Sequence, residues 1–258
     1  MRISVNGIQI NVRDRGKGEP SLVFLHYWGG SSRTWTEVVD YLADQHRSIA
    51  LDHRGWGESD APGPGYGIAD LTSDALGVVS ALKLQHFVIV GHSMGGKVAQ
   101  LMASHRPAGL KGLILVAPSP PSPTVLSDEQ RQQMLHVYDS PESIAYARDH
   151  ILTAMPLTTA QKERVIEDSL RGGDAARQAW PNKIILEDIR AEVRHINVPT
   201  LVLSGDRDQV HPVAAVSEEV LSFIPGAQLQ ILPGAGHAPM LEAPESVAQS
   251  IRRFAFGL

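Results

Sequence analysis

Apolar positions follow two rhythms along this chain, and the two take turns. Residues 2–5 and 8–14 alternate apolar and polar around Asn6-Gly7, which predicts a hairpin closed by a two-residue turn. Leu22-Val23-Phe24-Leu25 is apolar throughout, as a strand covered on both faces should be. Residues 34–43 predict a helix and Ser48–Leu51 a strand. A helix is next over 68–82, with Asp70 and Asp74 near its N-terminal end, where the helix dipole favours acids. The apolar run 86–90 then leads through Gly91-His92-Ser93-Met94-Gly95 into a helix that closes near His105-Arg106-Pro107. Residues 113–116, 200–203 and Gln228–Leu232 predict further strands, and 212–223 and Pro244–Phe256 further helices. Strands alternating with helices predict an α/β fold: one mostly parallel sheet with helices on both faces.

Residues 119–196 break that alternation. They open on the stiff run Pro118-Ser119-Pro120-Pro121-Ser122-Pro123 and carry four helix-start signals with no convincing strand. Ser127 stands three before Gln130, Ser140 precedes Pro141, Thr158 stands three before Gln161, and Asp174 opens an alanine-rich turn. An insertion after a strand of a parallel sheet falls over the carboxyl edge, where such sheets bind ligands. The expected organisation is therefore a core of residues 1–118 and 197–258 under a helical lid, 119–196.

Composition narrows the picture by exclusion. A net charge of −5 argues against nucleic acid or an anionic membrane as partner. No run approaches the roughly 20 apolar residues that a bilayer span needs. The chain has no cysteine, which removes disulfide and thiol chemistry and fits a reducing cytoplasm. Its 11 histidines are scattered, with no H-E-x-x-H, so neither a metal nor another cofactor is expected. The composition admits a homo-oligomer.

The chemistry concentrates at Gly91-His92-Ser93-Met94-Gly95, a G-x-S-x-G pattern set between strand and helix. Glycine two before and two after the serine lets backbone approach a tight turn that lifts the hydroxyl. A serine hydroxyl needs a base, and the base needs a third group to fix its tautomer. Two loops after later strands offer both. One holds Asp206, Asp208 and His211, and the other holds Gly236-His237. His26 and His92 read as donors to backbone within their turns. Asp52, Arg54 and Ser59 read as a turn-holding network.

With these residues assembled, the chain resembles an α/β-hydrolase-fold protein of the capped serine esterase, lactonase and perhydrolase type. The resemblance rests on Gly91 to Gly96, on Asp52 to Ser59 (D-x-R-G-x-G-x-S), on Gly205, Asp208 and Pro212 (G-x-x-D-x-x-x-P) and on Gly236-His237. It implies Ser93 as nucleophile, His237 as base and Asp208 as the group orienting it. It also implies an oxyanion hole from the backbone N–H groups of Trp28 and Met94. The family usually has His-Gly where this chain has His26-Tyr27, so tyrosine must take the same backbone or shift it.

The expected activity is hydrolysis of carboxylic esters, with lactones included, on small apolar substrates through an acyl-Ser93 intermediate. The expected pocket takes in Tyr27, His92, Met134, Met155, Trp180, Val210 and Met240. The same three side chains would serve a cofactor-free perhydrolase (haloperoxidase) or a C–C bond hydrolase, and a small-molecule receptor can share the fold.

Overall fold

The computed structural model describes residues 1–258 and contains one eight-stranded sheet. Its strands are β1 (Arg2–Val5), β2 (Ile8–Arg15), β3 (Ser21–Leu25), β4 (Ser48–Leu51), β5 (Phe87–His92), β6 (Leu110–Val116), β7 (Thr200–Gly205) and β8 (Gln228–Leu232). They lie in the order β1-β2-β4-β3-β5-β6-β7-β8. The first two strands pair antiparallel across Asn6 (φ 50°) and Gly7 (φ 78°), the left-handed pair that a two-residue hairpin turn demands. From β4 to β8 every pairing is parallel. Strands β3 to β7 are buried along most or all of their length, which explains their unbroken apolar runs.

Helices α1 (Thr36–Leu42), α2 (Ile68–Ala81) and α3 (Met94–Ser104) link the first four parallel strands. The step from β3 to β4 runs one way along the sheet, and every later step runs the other way. Right-handed crossovers therefore place α1 on one face and α2 and α3 on the opposite one.

The chain between β6 and β7 contains only helices: α4 (Asp128–His136), α5 (Pro141–Ala147), α6 (Thr159–Leu170), α7 (Asp174–Asn182) and α8 (Arg190–Val193). All four start signals hold. Ser127, Ser140 and Thr158 each accept a backbone N–H at their helix start, and α7 begins at Asp174. A π-helical turn, Arg148–Leu152, directly succeeds α5 and carried no sequence signal. Lys97 on α3, itself buried, donates to the carbonyls of Ser122 (3.3 Å) and Glu187 (2.6 Å) and so grips both ends of this insertion.

The rest of the chain forms α9 (Val213–Glu219), α10 (Pro239–Glu242) and α11 (Pro244–Phe256), and α11 packs on α1. Two expected helices are subdivided. The segment 34–43 opens as a 3₁₀ turn, Ser32–Trp35, before α1. The segment 212–223 stops after Glu219 and tightens into a 3₁₀ turn, where the Phe223 N–H reaches the carbonyl of Val220. No helix is long and apolar enough to cross a membrane.

Candidate active site

Parallel pairing sets the ends of β3, β4, β5, β6, β7 and β8 along one edge, and loops that leave this edge carry Ser93, Asp208 and His237. β5 runs into Ser93, whose φ of 51° and ψ of −116° are costly for a residue with a Cβ. The flanking glycines make the turn feasible. A Cβ on Gly91 would lie 2.3 Å from the carbonyl oxygen of Gly95, and one on Gly95 would lie 2.5 Å from that of His26. Two amides of α3, those of Gly96 and Lys97, close on the Ser93 carbonyl and fix the start of the helix.

Three side chains from three loops meet here. His237 Nε2 stands 3.0 Å from Ser93 Oγ, and His237 Nδ1 stands 2.9 Å from Asp208 Oδ2. The other carboxylate oxygen of Asp208 accepts the N–H groups of Val210 (2.8 Å) and His211 (2.9 Å). Burial opposes ionisation of Asp208, but the adjoining imidazole and these hydrogen bonds outweigh it and hold its carboxyl below the usual range. The rival groups are engaged elsewhere. Asp206 accepts the Gly234 N–H at 2.7 Å, and His211 Nε2 lies 3.1 Å from Ser119 Oγ.

Ser93 and His237 open into a cavity of about 310 Å³. Thirteen of its eighteen lining residues are hydrophobic, and most come from the insertion. Tyr27, Met134, Trp180 and Val210 line it as expected, and so does Trp28. His92, Met155 and Met240 do not. His92 turns its Nε2–H onto the carbonyl of His237 at 2.7 Å. Met155 is 37 % exposed on the outer surface, and Met240 is fully buried in the core because Pro239 starts a short helix that turns its side chain inward. Tyr138, Ile144, Leu152, Val165 and Ser169 also line the cavity and were not singled out in the sequence. Ile144, Val165 and Ser169 sit on helices whose starts the sequence marks, whereas Tyr138 and Leu152 lie outside them and carried no signal. A larger polar cleft of about 590 Å³, bounded by Arg13, Glu58 and Arg171, contains none of the three meeting side chains.

Tyrosine at position 27 does not strain the loop after β3. The left-handed residue there is Gly29 (φ 95°), and a Cβ on it would strike the Tyr138 hydroxyl. The insertion braces the loop from above. Tyr138 Oη donates to the Trp28 carbonyl (2.5 Å) and Ser169 Oγ to that of Gly29 (2.9 Å). The Trp28 indole N–H donates to the Arg177 carbonyl at 3.1 Å, while its backbone N–H has no hydrogen-bond partner within the protein. Met94 opens α3, where first-turn N–H groups have no acceptor within the helix. His26 donates from Nδ1 to the Tyr27 carbonyl and accepts the His53 N–H at Nε2, a structural role. Asp52 accepts the N–H groups of Ser32 and Glu58, the Ser59 hydroxyl donates to its carbonyl, and Arg54 pairs with Asp74, as a turn-holding network should.

Four histidines, His26, His53, His92 and His211, are held below the usual imidazole range, chiefly because burial strips water from the charged form, and His211 falls to about 3. Unfolded, each takes up a proton near pH 6.5 that the folded chain refuses. Stability therefore decreases as pH falls below about 6.5, by up to about 1.4 kcal/mol per pH unit for each histidine. Urea unfolding should show a loss of several kcal/mol between pH 7 and pH 5. A flat profile over that window would contradict the neutral, buried assignments.

A parallel sheet presenting a strained serine between strand and helix at its carboxyl edge defines an α/β hydrolase. Residues 22–250 match the model of the alpha/beta hydrolase family, and the chain belongs to that family. Among curated proteins it is similar to a non-heme haloperoxidase from Rhodococcus erythropolis, at 29 % identity over 248 residues and 90 % of each chain. Among solved structures it is similar to an esterase from Exiguobacterium antarcticum, with a TM-score of 0.89, 25 % identity and 98 % of each chain covered. An esterase from Rhodococcus sp. aligns with a TM-score of 0.86 and 27 % identity, over 100 % of this chain and 98 % of the other.

Proposed function

We propose that this protein is a serine hydrolase that cleaves carboxylic esters, lactones included, of small, neutral, apolar substrates. The observation carrying this reading is the continuous hydrogen-bonded line from Asp208 through His237 to Ser93 at the floor of an apolar cavity. In the first half-reaction His237 Nε2 takes the Ser93 proton as Oγ attacks the ester carbonyl. The developing oxyanion is met by the Met94 and Trp28 N–H groups, with the start of α3 favouring negative charge. His237 then passes its proton to the leaving alkoxide, and water repeats the sequence to release the acid from Ser93. Asp208 keeps the Nδ1–H in place and stabilises the imidazolium.

The helical insertion, residues 119–196, acts in this reading as the lid that sets substrate size. No lysine or arginine lines the cavity, so an acidic acyl chain would meet no counter-charge there. This disfavours the long acidic dienoates of C–C bond hydrolases. The likeness to the Rhodococcus erythropolis haloperoxidase favours a second reading, in which peroxide replaces water as acceptor of the same acyl group.

A series of p-nitrophenyl esters from acetate to octanoate, with peracid formation measured in parallel, tests both readings. Met134 lies on α4, which buries none of its residues, so Met134→Trp fills cavity space at small cost to the fold. It should lower kcat/KM for hexanoate by about tenfold and leave acetate within about twofold, the scale on which pockets discriminate methylenes. Equal losses on every ester would leave the insertion no part in substrate selection.

A further inference from the structure

The histidine loop is held at three consecutive residues. The His237 carbonyl accepts the Nε2–H of His92, and the Ala238 N–H donates to the Leu152 carbonyl at 3.0 Å. The Gly236 N–H donates to the Glu242 carboxylate at 2.9 Å. That carboxylate does more than cap its own loop. It also accepts the N–H groups of Ala154 (2.6 Å) and Met155 (2.8 Å), which belong to the insertion. Glu242 is about nine-tenths buried, and three backbone amides take the place of a cation beside it. The two segments also touch directly: a Cβ on Gly236 would lie 2.8 Å from the Ala154 nitrogen. Leu152, at the end of the π-helical turn, lines the substrate cavity.

We propose that Glu242 is a positioning residue that ties the placement of the His237 imidazole to the docking of segment 152–155. This rests on the reading of His237 as the base. A buried carboxylate has four lone-pair sites and no proton to give, so it satisfies amides from two chain segments at once. Ala154 and Met155 share Oε1, and the Gly236 N–H lies between Oε2 at 2.9 Å and Oε1 at 3.1 Å, so a glutamine that keeps its oxygen on the first two sets its NH₂ against the Gly236 N–H and loosens the histidine loop from segment 152–155. Proton transfer from Ser93 tolerates little of that, since a displacement near 1 Å costs on the order of a hundredfold in rate. Glu242 touches neither substrate nor reacting atoms, so the loss falls on kcat and leaves KM.

The test is Glu242→Gln in the parent and in the His237→Ala background, assayed on p-nitrophenyl acetate, with thermal unfolding confirming the folded state. The expected result is a kcat lowered by about ten- to a hundredfold in the parent with KM within about twofold. In the His237→Ala background the residual rate should change by less than about twofold, because no imidazole remains to be misplaced. An equal fractional loss in both backgrounds, or an unchanged kcat in the parent, overturns the proposal. Should the glutamine variant not fold, Glu242→Asp keeps the charge with a shorter reach and is read in the same cycle. A His237→Ala protein as fast as the parent would remove the reading of the base itself, an outcome distinct from the first two.

Discussion

Ser93→Ala should keep the fold and lose kcat/KM toward p-nitrophenyl acetate on the order of 10⁵- to 10⁶-fold. Alanine keeps the Cβ and asks nothing new of the backbone, which already holds residue 93 at φ 51°. The only group removed is the hydroxyl that faces His237 Nε2 at 3.0 Å. Without it no acyl-enzyme forms, and only direct attack of water on the ester remains. Retention of a tenth of the parent rate, with an unchanged melting temperature, would refute Ser93 as nucleophile.

Asp208→Asn carries the second large effect, about 10⁴-fold in kcat/KM with little change in KM. The direction comes from the two oxygens of Asp208 having different duties. Oδ1 accepts the amides of Val210 and His211, and only an oxygen can serve there. The new amide must therefore point its NH₂ group at His237 Nδ1, where Oδ2 stands in the parent. That nitrogen can then only accept, so the ring proton moves to Nε2 and the imidazole faces Ser93 with a donor. A base that already holds a proton takes none. A loss below about tenfold would mean that the carboxylate does not set the tautomer.

Much of this arrangement is legible in the chain because each part has a local cause. Continuous apolar runs flag buried parallel strands, and glycines at 91 and 95 flag a turn with no space for a Cβ. Capping residues 127, 140 and 158 mark helix starts through hydrogen bonds to residues three further on. What sequence hides is the direction of side chains around a turn. His92 adjoins Ser93 and Met240 stands three residues after His237, yet one braces the histidine loop and the other fills the core. Met155 faces outward although its neighbour segment lines the cavity. Contacts across long separations are equally invisible. Nothing local ties Tyr138 to the Trp28 carbonyl, 110 residues away, or Glu242 to amides 87 and 88 residues earlier. The π-helical turn escaped because its widened hydrogen bonds leave no sequence rhythm of their own.

The most direct measurement is covalent trapping with diethyl p-nitrophenyl phosphate, with the labelled site located by peptide mapping. One equivalent of phosphoryl group should settle on the peptide bearing Ser93, with ester hydrolysis lost in the same proportion and labelling slowed by His237→Ala. A label on any other side chain, or full ester turnover by protein labelled at Ser93, would contradict a nucleophilic serine at the head of this hydrogen-bonded line.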